Sequence, residues 1–203
     1  MTYLDRFNEV ALSQKSMTSE INLWCPIDTA AVSTADLADQ VIRRSLKVVG
    51  FTPKDLIGKC FNAITGASNA LLAENIRHTV TIGDVHVKGK SYFNTSPQVI
   101  QEEMEQGFVP NAPIQAHAWI TLEDGTILDL TILSSLANKE KRKIPKMIKA
   151  IFRSDEPARK DLTHIPYMLG PMFIIRTTLE PSEMSLQFAQ SWAIRIDDLH
   201  QNF

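Results

Sequence analysis

One segment constrains this chain more than any other: His117-Ala-Trp-Ile-Thr-Leu-Glu-Asp-Gly-Thr-Ile-Leu-Asp129. Its alternation predicts two antiparallel strands, Gln115–Leu122 and Thr126–Ile132, that can pair in one register only. A two-residue turn, Asp124-Gly125, would set Ile120 against Asp129, placing a carboxylate on the apolar face and His117 on the other. A three-residue loop, Glu123-Asp124-Gly125 with Gly125 left-handed, sets Leu122 against Thr126, Ile120 against Leu128, Ala118 against Leu130 and Ala116 against Ile132. The opposite face then carries His117 against Thr131, Trp119 against Asp129 and Thr121 against Ile127. The apolar pairing selects this loop. It places Asp129 diagonal to His117 on one face, roughly 7–8 Å apart along the backbone, within reach of a carboxylate–imidazole hydrogen bond.

Other elements are expected around this hairpin. A helix is expected over about Leu4 to Lys15, and another, capped by Thr34, over Ala35 to Val49 with Gly50 terminating it. Its apolar stripe would be Leu37, Val41, Ile42, Leu46 and Val49. Lys59 to Asn75 repeats Phe61, Ile64, Ala67, Leu71 and Leu72 at helical spacing, with Ala63, Gly66, Ala70 and Ala73 keeping the helix thin against a sheet. Arg77 to Val87 reads as a strand, with His78, Val80 and Ile82 on one face and Thr79 and Thr81 on the other. Ser96-Pro97 opens a helix ending near Gly107; Ser134 to Phe152 reads as helix interrupted at Pro145; Met172 to Thr178 reads as a strand; Ser182 caps a last helix to about His200. The class is α+β. The expected organisation is one domain over 1–203: a helical part to 50, a core from 51 to 180 and a terminal helix from 181.

A cysteine attacks as thiolate, and a helix N-terminus or a neighbouring imidazolium lowers its pKa. Cys60 follows Gly58-Lys59 at the start of the small-residue helix, where its own N–H is free to stabilise an oxyanion. A base needs a third group to hold its orientation. Cys60 as nucleophile, His117 as base and Asp129 as orienting group supply these roles, and Trp119, on the same face, is placed to shield the His117–Asp129 bond or to meet substrate.

A cysteine opening a small-residue helix, then a strand, then His117-Ala118-Trp119, an Asp-Gly turn and Asp129-Leu130-Thr131 resembles the transglutaminase-like branch of the papain-like cysteine protease superfamily. It is also similar to the leader peptidases of lasso-peptide maturation and, more distantly, to arylamine acetyltransferases. The resemblance spans Cys60 to Ile132. It implies a papain-like or transglutaminase-like fold, with the catalytic helix packed on an antiparallel sheet. It also implies acyl-enzyme chemistry on an amide, peptide or acyl substrate: a cysteine hydrolase acting as peptidase or deamidase, or an acyl or amine transferase. No cofactor or metal is needed.

Other readings stand beside this one. The fold could be kept by a binding protein without turnover. Cys25, beside Trp24 and before Pro26, is a rival nucleophile lacking a following helix. Cys60, His117 and Asp129 are also a donor set that zinc accepts, without the usual short ligand spacings. Histidines 78 and 86 read as packing or surface residues, with Gly83 breaking the strand between them. The basic run Lys139, Lys141, Arg142, Lys143, Lys146 and Lys149, and the acidic run Glu102, Glu103 and Glu105, read as solvated helix faces.

The net charge of −2 favours neither nucleic acid nor an anionic membrane. No apolar run suits a membrane span, and no signal pattern precedes Ser16, so a cytoplasmic protein with two free thiols is expected, with delivery by a route that needs no cleavable signal left open; a peptide or protein substrate is what the resemblance implies. The oligomeric state is not legible.

Overall fold

The protein is described by a computed structural model covering residues 1–17, 23–145, 151–152 and 161–201. The helix at Tyr3–Met17 (α1) is followed by Ala35–Val48 (α2) and Cys60–Ala73 (α3). Strands His78–Val87 (β1) and Lys90–Ser91 (β2), helix Pro97–Gln106 (α4), and strands His117–Leu122 (β3) and Ile127–Leu128 (β4) come next. Ile132–Lys139 (α5), Ile151–Phe152 (β5), Leu162–Leu169 (β6), Met172–Thr178 (α6) and Glu183–Gln201 (α7) complete the described chain. The architecture is α+β, with an antiparallel sheet ordered β2-β1-β3-β4-β5 and β6 paired to β1.

The long strand β1 organises the sheet. β6 runs along one edge of it, from Thr81 to Val87. β3 therefore takes the other edge from His78 to Gly83, and the short β2 takes what remains at His86 and Val87. The even-numbered residues Val80 and Ile82 of β1 and Ala118, Ile120 and Leu122 of β3 bury against α2, α3 and α7. The odd-numbered residues Val85 and Trp119 bury on the other face, with Tyr3 and Phe7 of α1 and Ile132 and Leu136 of α5.

Helix boundaries follow local signals. Ser96 accepts a hydrogen bond from Val99 N at 3.2 Å, with Pro97 in the first turn. Gly50 and Gly58 have φ of 72° and 68°, the left-handed backbone that ends α2 and the turn before α3. Thr34 precedes α2 as expected, but its side chain makes no capping bond.

Several expectations are corrected. Leu37 and Val49 are exposed, and Ala38 joins Val41, Ile42 and Leu46 in the buried stripe of α2. Of Ala63, Gly66, Ala70 and Ala73 in α3 only Ala63 is buried; a Cβ on Gly66 would meet nothing within 4 Å, so that glycine makes no room for the sheet. The strand expected to Ile132 stops at Leu128, because Asp129 bends the backbone into α5. Helix α5 ends at Lys139. Lys146 and Lys149 of the basic run lie outside the described residues. Met172–Thr178 is helix, burying Phe173, Ile174 and Thr177 on one side. Among the described residues no helix is long and apolar enough to cross a membrane.

Candidate active site

The hairpin has the register that its apolar pattern requires. Ile120 pairs with Leu128 and Thr121 with Ile127. Leu122 N donates to Thr126 O at 2.8 Å, Gly125 N donates to Leu122 O at 2.9 Å, and Gly125 has φ 85°. His117 and Asp129 thus share a face, and His117 Nε2 lies 2.7 Å from Asp129 Oδ2, both groups fully buried. A carboxylate only accepts, so Nε2 carries the proton and donates it.

Asp129 is held from every side. Its Oδ1 accepts from Thr131 N and Ile132 N, both at 3.0 Å, at the entry to α5. Its Oδ2 accepts from His117 and also from His164 Nε2 at 2.9 Å. Burial works against the charged carboxylate, but the two imidazoles and these hydrogen bonds outweigh it and hold its pKa well below the usual range.

Cys60 opens α3, with Lys59 in the flanking position and no side-chain cap. The first N–H groups of that helix therefore have no intrahelical acceptor. The thiol approaches the His117 ring closely enough to favour its charged form. With Nε2 engaged by Asp129, the ring atom left for Cys60 is Nδ1, which is buried and has no partner at ordinary hydrogen-bond geometry. Burial pulls the His117 pKa down, while Asp129 and Cys60 push it up more strongly, to about 10. The three residues singled out in the sequence are thus brought together around one imidazole. Cys60 is 6% exposed and His117 1%.

Aromatic rings flank the His117 imidazole. Phe93 stacks on His117, with centroids 4.6 Å apart and planes 11° from parallel. Asp84, wholly buried, holds Phe93 there: its oxygens accept from Phe93 N at 3.0 Å, from Val85 N at 2.7 Å and from Ser91 Oγ. Trp119 lies beside His117 and edge-on to His164, and its Nε1 donates to Tyr3 Oη at 2.9 Å. Tyr3 Oη and Thr121 Oγ1 share a hydrogen bond at 2.6 Å, and burial pushes the Tyr3 pKa up to about 12. Trp119 has no exposed surface to offer a substrate; its place is beneath the imidazoles, keeping water from them.

Gly83 faces His117 across the β1–β3 pair. A Cβ there would sit 1.9 Å from Ile165 O and 2.9 Å from the Trp119 ring. Tyr167 is the extra residue of a β6 bulge between the Ile82–Met168 and Gly83–Pro166 pairs. That bulge drives the Ile165 carbonyl over Gly83, so glycine is required where the strands and the tryptophan converge.

The sequence reading did not single out His164, Phe93 or Asp84. The hairpin's pairing says nothing about β6, and Phe93, held by Asp84 of β1, meets His117 from the segment after β2, outside the hairpin.

The remaining candidates fall elsewhere. Cys25 is buried on the α1 face, its N–H donating to Thr79 Oγ1 at 2.8 Å, and burial pushes its thiol up to about 11. Neither cysteine is bonded to the other. His78 is a packing residue: its Nδ1 faces Ile76 O at 2.8 Å and its Nε2 accepts from Ser68 Oγ at 2.8 Å, so burial holds it neutral with a pKa lowered to about 4. His86 is partly exposed, 3.9 Å from Asp84. Both Nε2 atoms of His117 and His164 point at Asp129 rather than at a common centre, and no metal-binding cluster occurs among the described residues.

No family model, curated protein or solved structure matches the chain.

Proposed function

We propose that this protein is a cysteine-dependent amide hydrolase, a peptidase or deamidase of transglutaminase-like or papain-like type, with Cys60, His117 and Asp129 as its triad. One observation carries the reading: a buried imidazole is tied through Nε2 to Asp129, and a cysteine that opens a helix lies near enough to the same ring to favour its charge.

The chemistry follows from that arrangement. In the resting site His117 Nδ1 already holds the proton of the Cys60 thiol, and the imidazolium is stabilised by Asp129. The thiolate adds to a carbonyl carbon, and unpaired N–H groups at the start of α3 face the developing oxyanion. His117 returns the proton to the leaving nitrogen as the C–N bond breaks, leaving an acyl-thioester. Water, deprotonated by the same imidazole, attacks the thioester; the carboxylic acid departs and the thiol is restored. If an amine attacks in place of water, the same site is a transferase, and incorporation of a labelled amine into a glutamine-containing peptide separates the two. A binding protein without turnover is the second reading, favoured by the near-complete burial of Cys60 and by that of His117 beneath Phe93.

The deciding experiment is the rate of Cys60 alkylation against pH, read by peptide mass spectrometry, with the buried Cys25 as internal control. Rapid labelling below pH 7 that slows at least about tenfold in His117→Ala supports the triad. Labelling that needs alkaline pH and ignores His117 leaves the binding-protein reading.

A further inference from the structure

The Asp129 carboxylate serves two imidazoles, and the triad chemistry uses one. His164 comes from β6, on the opposite side of β1 from the hairpin, yet its Nε2 reaches the same oxygen as His117 Nε2, at 2.9 Å and 2.7 Å. The other oxygen is filled by Thr131 N and Ile132 N. The His164 ring is 5% exposed and meets Trp119 edge-on at 5.0 Å, which fixes its plane.

We infer that His164 is a positioning residue: by donating a second hydrogen bond to Asp129 Oδ2, it fixes the carboxylate and moderates its hold on His117. This rests on the triad reading of Cys60, His117 and Asp129.

The physical reason is a division of charge. A carboxylate oxygen that accepts two N–H bonds has less electron density for each, so His117 is held less tightly than by an unshared carboxylate. A base held too tightly keeps the proton it must return to the leaving nitrogen. With both Nε2–H groups directed at Asp129, the tautomer of each ring is fixed, and His117 Nδ1 stays the atom that exchanges with Cys60.

Other titratable groups stand around the site among the described residues, and on β6 Tyr167 feels both Asp84 and Arg6 of α1. From α3 the facing group is Cys60 itself. From β1 it is Asp84, occupied by Ser91 and the Phe93 and Val85 N–H groups, with His86 at 3.9 Å. From α1 it is the Tyr3 phenol behind Trp119, and from α5 Lys139, whose ammonium sits 4.1 Å over the Tyr92 ring.

The test is histidine NMR on selectively labelled whole protein, native and with His164→Phe and His164→Gln. In the native protein both His117 and His164 are expected to carry a proton on Nε2. His164→Phe removes the donor and is expected to raise the pH at which His117 loses its charge by at least half a unit, about threefold in the equilibrium. His164→Gln offers an amide N–H at nearly the same place and is expected to restore most of the native value. A His164 tautomer protonated on Nδ1 alone in the native protein overturns the inference without any variant. So does a His117 titration that is the same in all three proteins, or equally displaced by Gln and Phe. The triad reading fails separately, on Cys60 labelling that ignores His117.

Discussion

Replacing Asp129 by asparagine keeps the shape of the side chain and removes its charge, and the geometry dictates what changes next. Four N–H groups converge on the carboxylate: Thr131 N and Ile132 N on Oδ1, His117 Nε2 and His164 Nε2 on Oδ2. An amide has one oxygen and one NH2, so it accepts from one pair and must donate to the other. The backbone N–H groups cannot become acceptors. The imidazoles can, by moving their protons to Nδ1. His117 then faces Cys60 with an N–H that is uncharged and unable to take the thiol's proton. The native ring owes its pKa of about 10, against the usual 6.5, to charges that overcome burial. Without the carboxylate, only the nearby Cys60 opposes burial, and the His117 pKa falls from about 10. At pH 7 less of the ring is charged. Cys60 alkylation at that pH is expected to drop at least about tenfold in Asp129→Asn. A near-UV circular dichroism spectrum like the native one would show that the fold survives. Native-rate labelling of Cys60 at pH 7, or a His117 resonance still titrating far above its usual range, refutes the reasoning.

Gly83→Ala is expected to destabilise by about 3 kcal/mol or more, read from urea denaturation, because the new methyl meets the Ile165 carbonyl at 1.9 Å and the backbone there is fixed by two neighbouring strands. A native midpoint would mean that the β6 bulge is not where it is described. Acid should weaken the fold in two separable steps. His78 is held at about 4 against 6.5, so the unfolded chain binds its proton first; this contribution is complete above pH 6.5 and is lost down to about pH 4, about 3 kcal/mol in all. The Asp129 contribution is present above the ordinary carboxylate value of 3.8 and disappears below it. Denaturation midpoints that stay flat between pH 6.5 and pH 4 would contradict the first step.

What the sequence disclosed and what it hid divide along the range of the interaction. The register of 117–129 was legible because its partners are close in the chain and alternate strictly, and only one loop length keeps Ile120 opposite Leu128. The strand face of His78, Val80 and Ile82 and the start of α3 at Cys60 were legible for the same local reasons. Residues 172–178, Met-Phe-Ile-Ile-Arg-Thr-Thr, carry strand-favouring side chains, yet they follow Gly170 and Pro171 and bury Phe173, Ile174 and Thr177 at helical spacing. Tertiary packing there overrode propensity. β6 hid behind Pro166 and the bulge at Tyr167, which spoil its alternation. His164 was hidden with it, since no local pattern announces that residue 164 meets residue 129.

The bond between Gln14 and Leu169 has its own consequence. Leu169 N donates to Gln14 Oε1 at 2.6 Å, and Gln14 Nε2 donates to Leu169 O at 3.0 Å. A side-chain amide from α1 thereby imitates one residue of a neighbouring strand, at the margin of β6, which among the described residues pairs with β1 alone. Exposed strand margins invite other chains to extend the sheet. Here one position that a foreign strand would claim is already taken by α1, so a glutamine far from the thiol shortens the edge open to other chains.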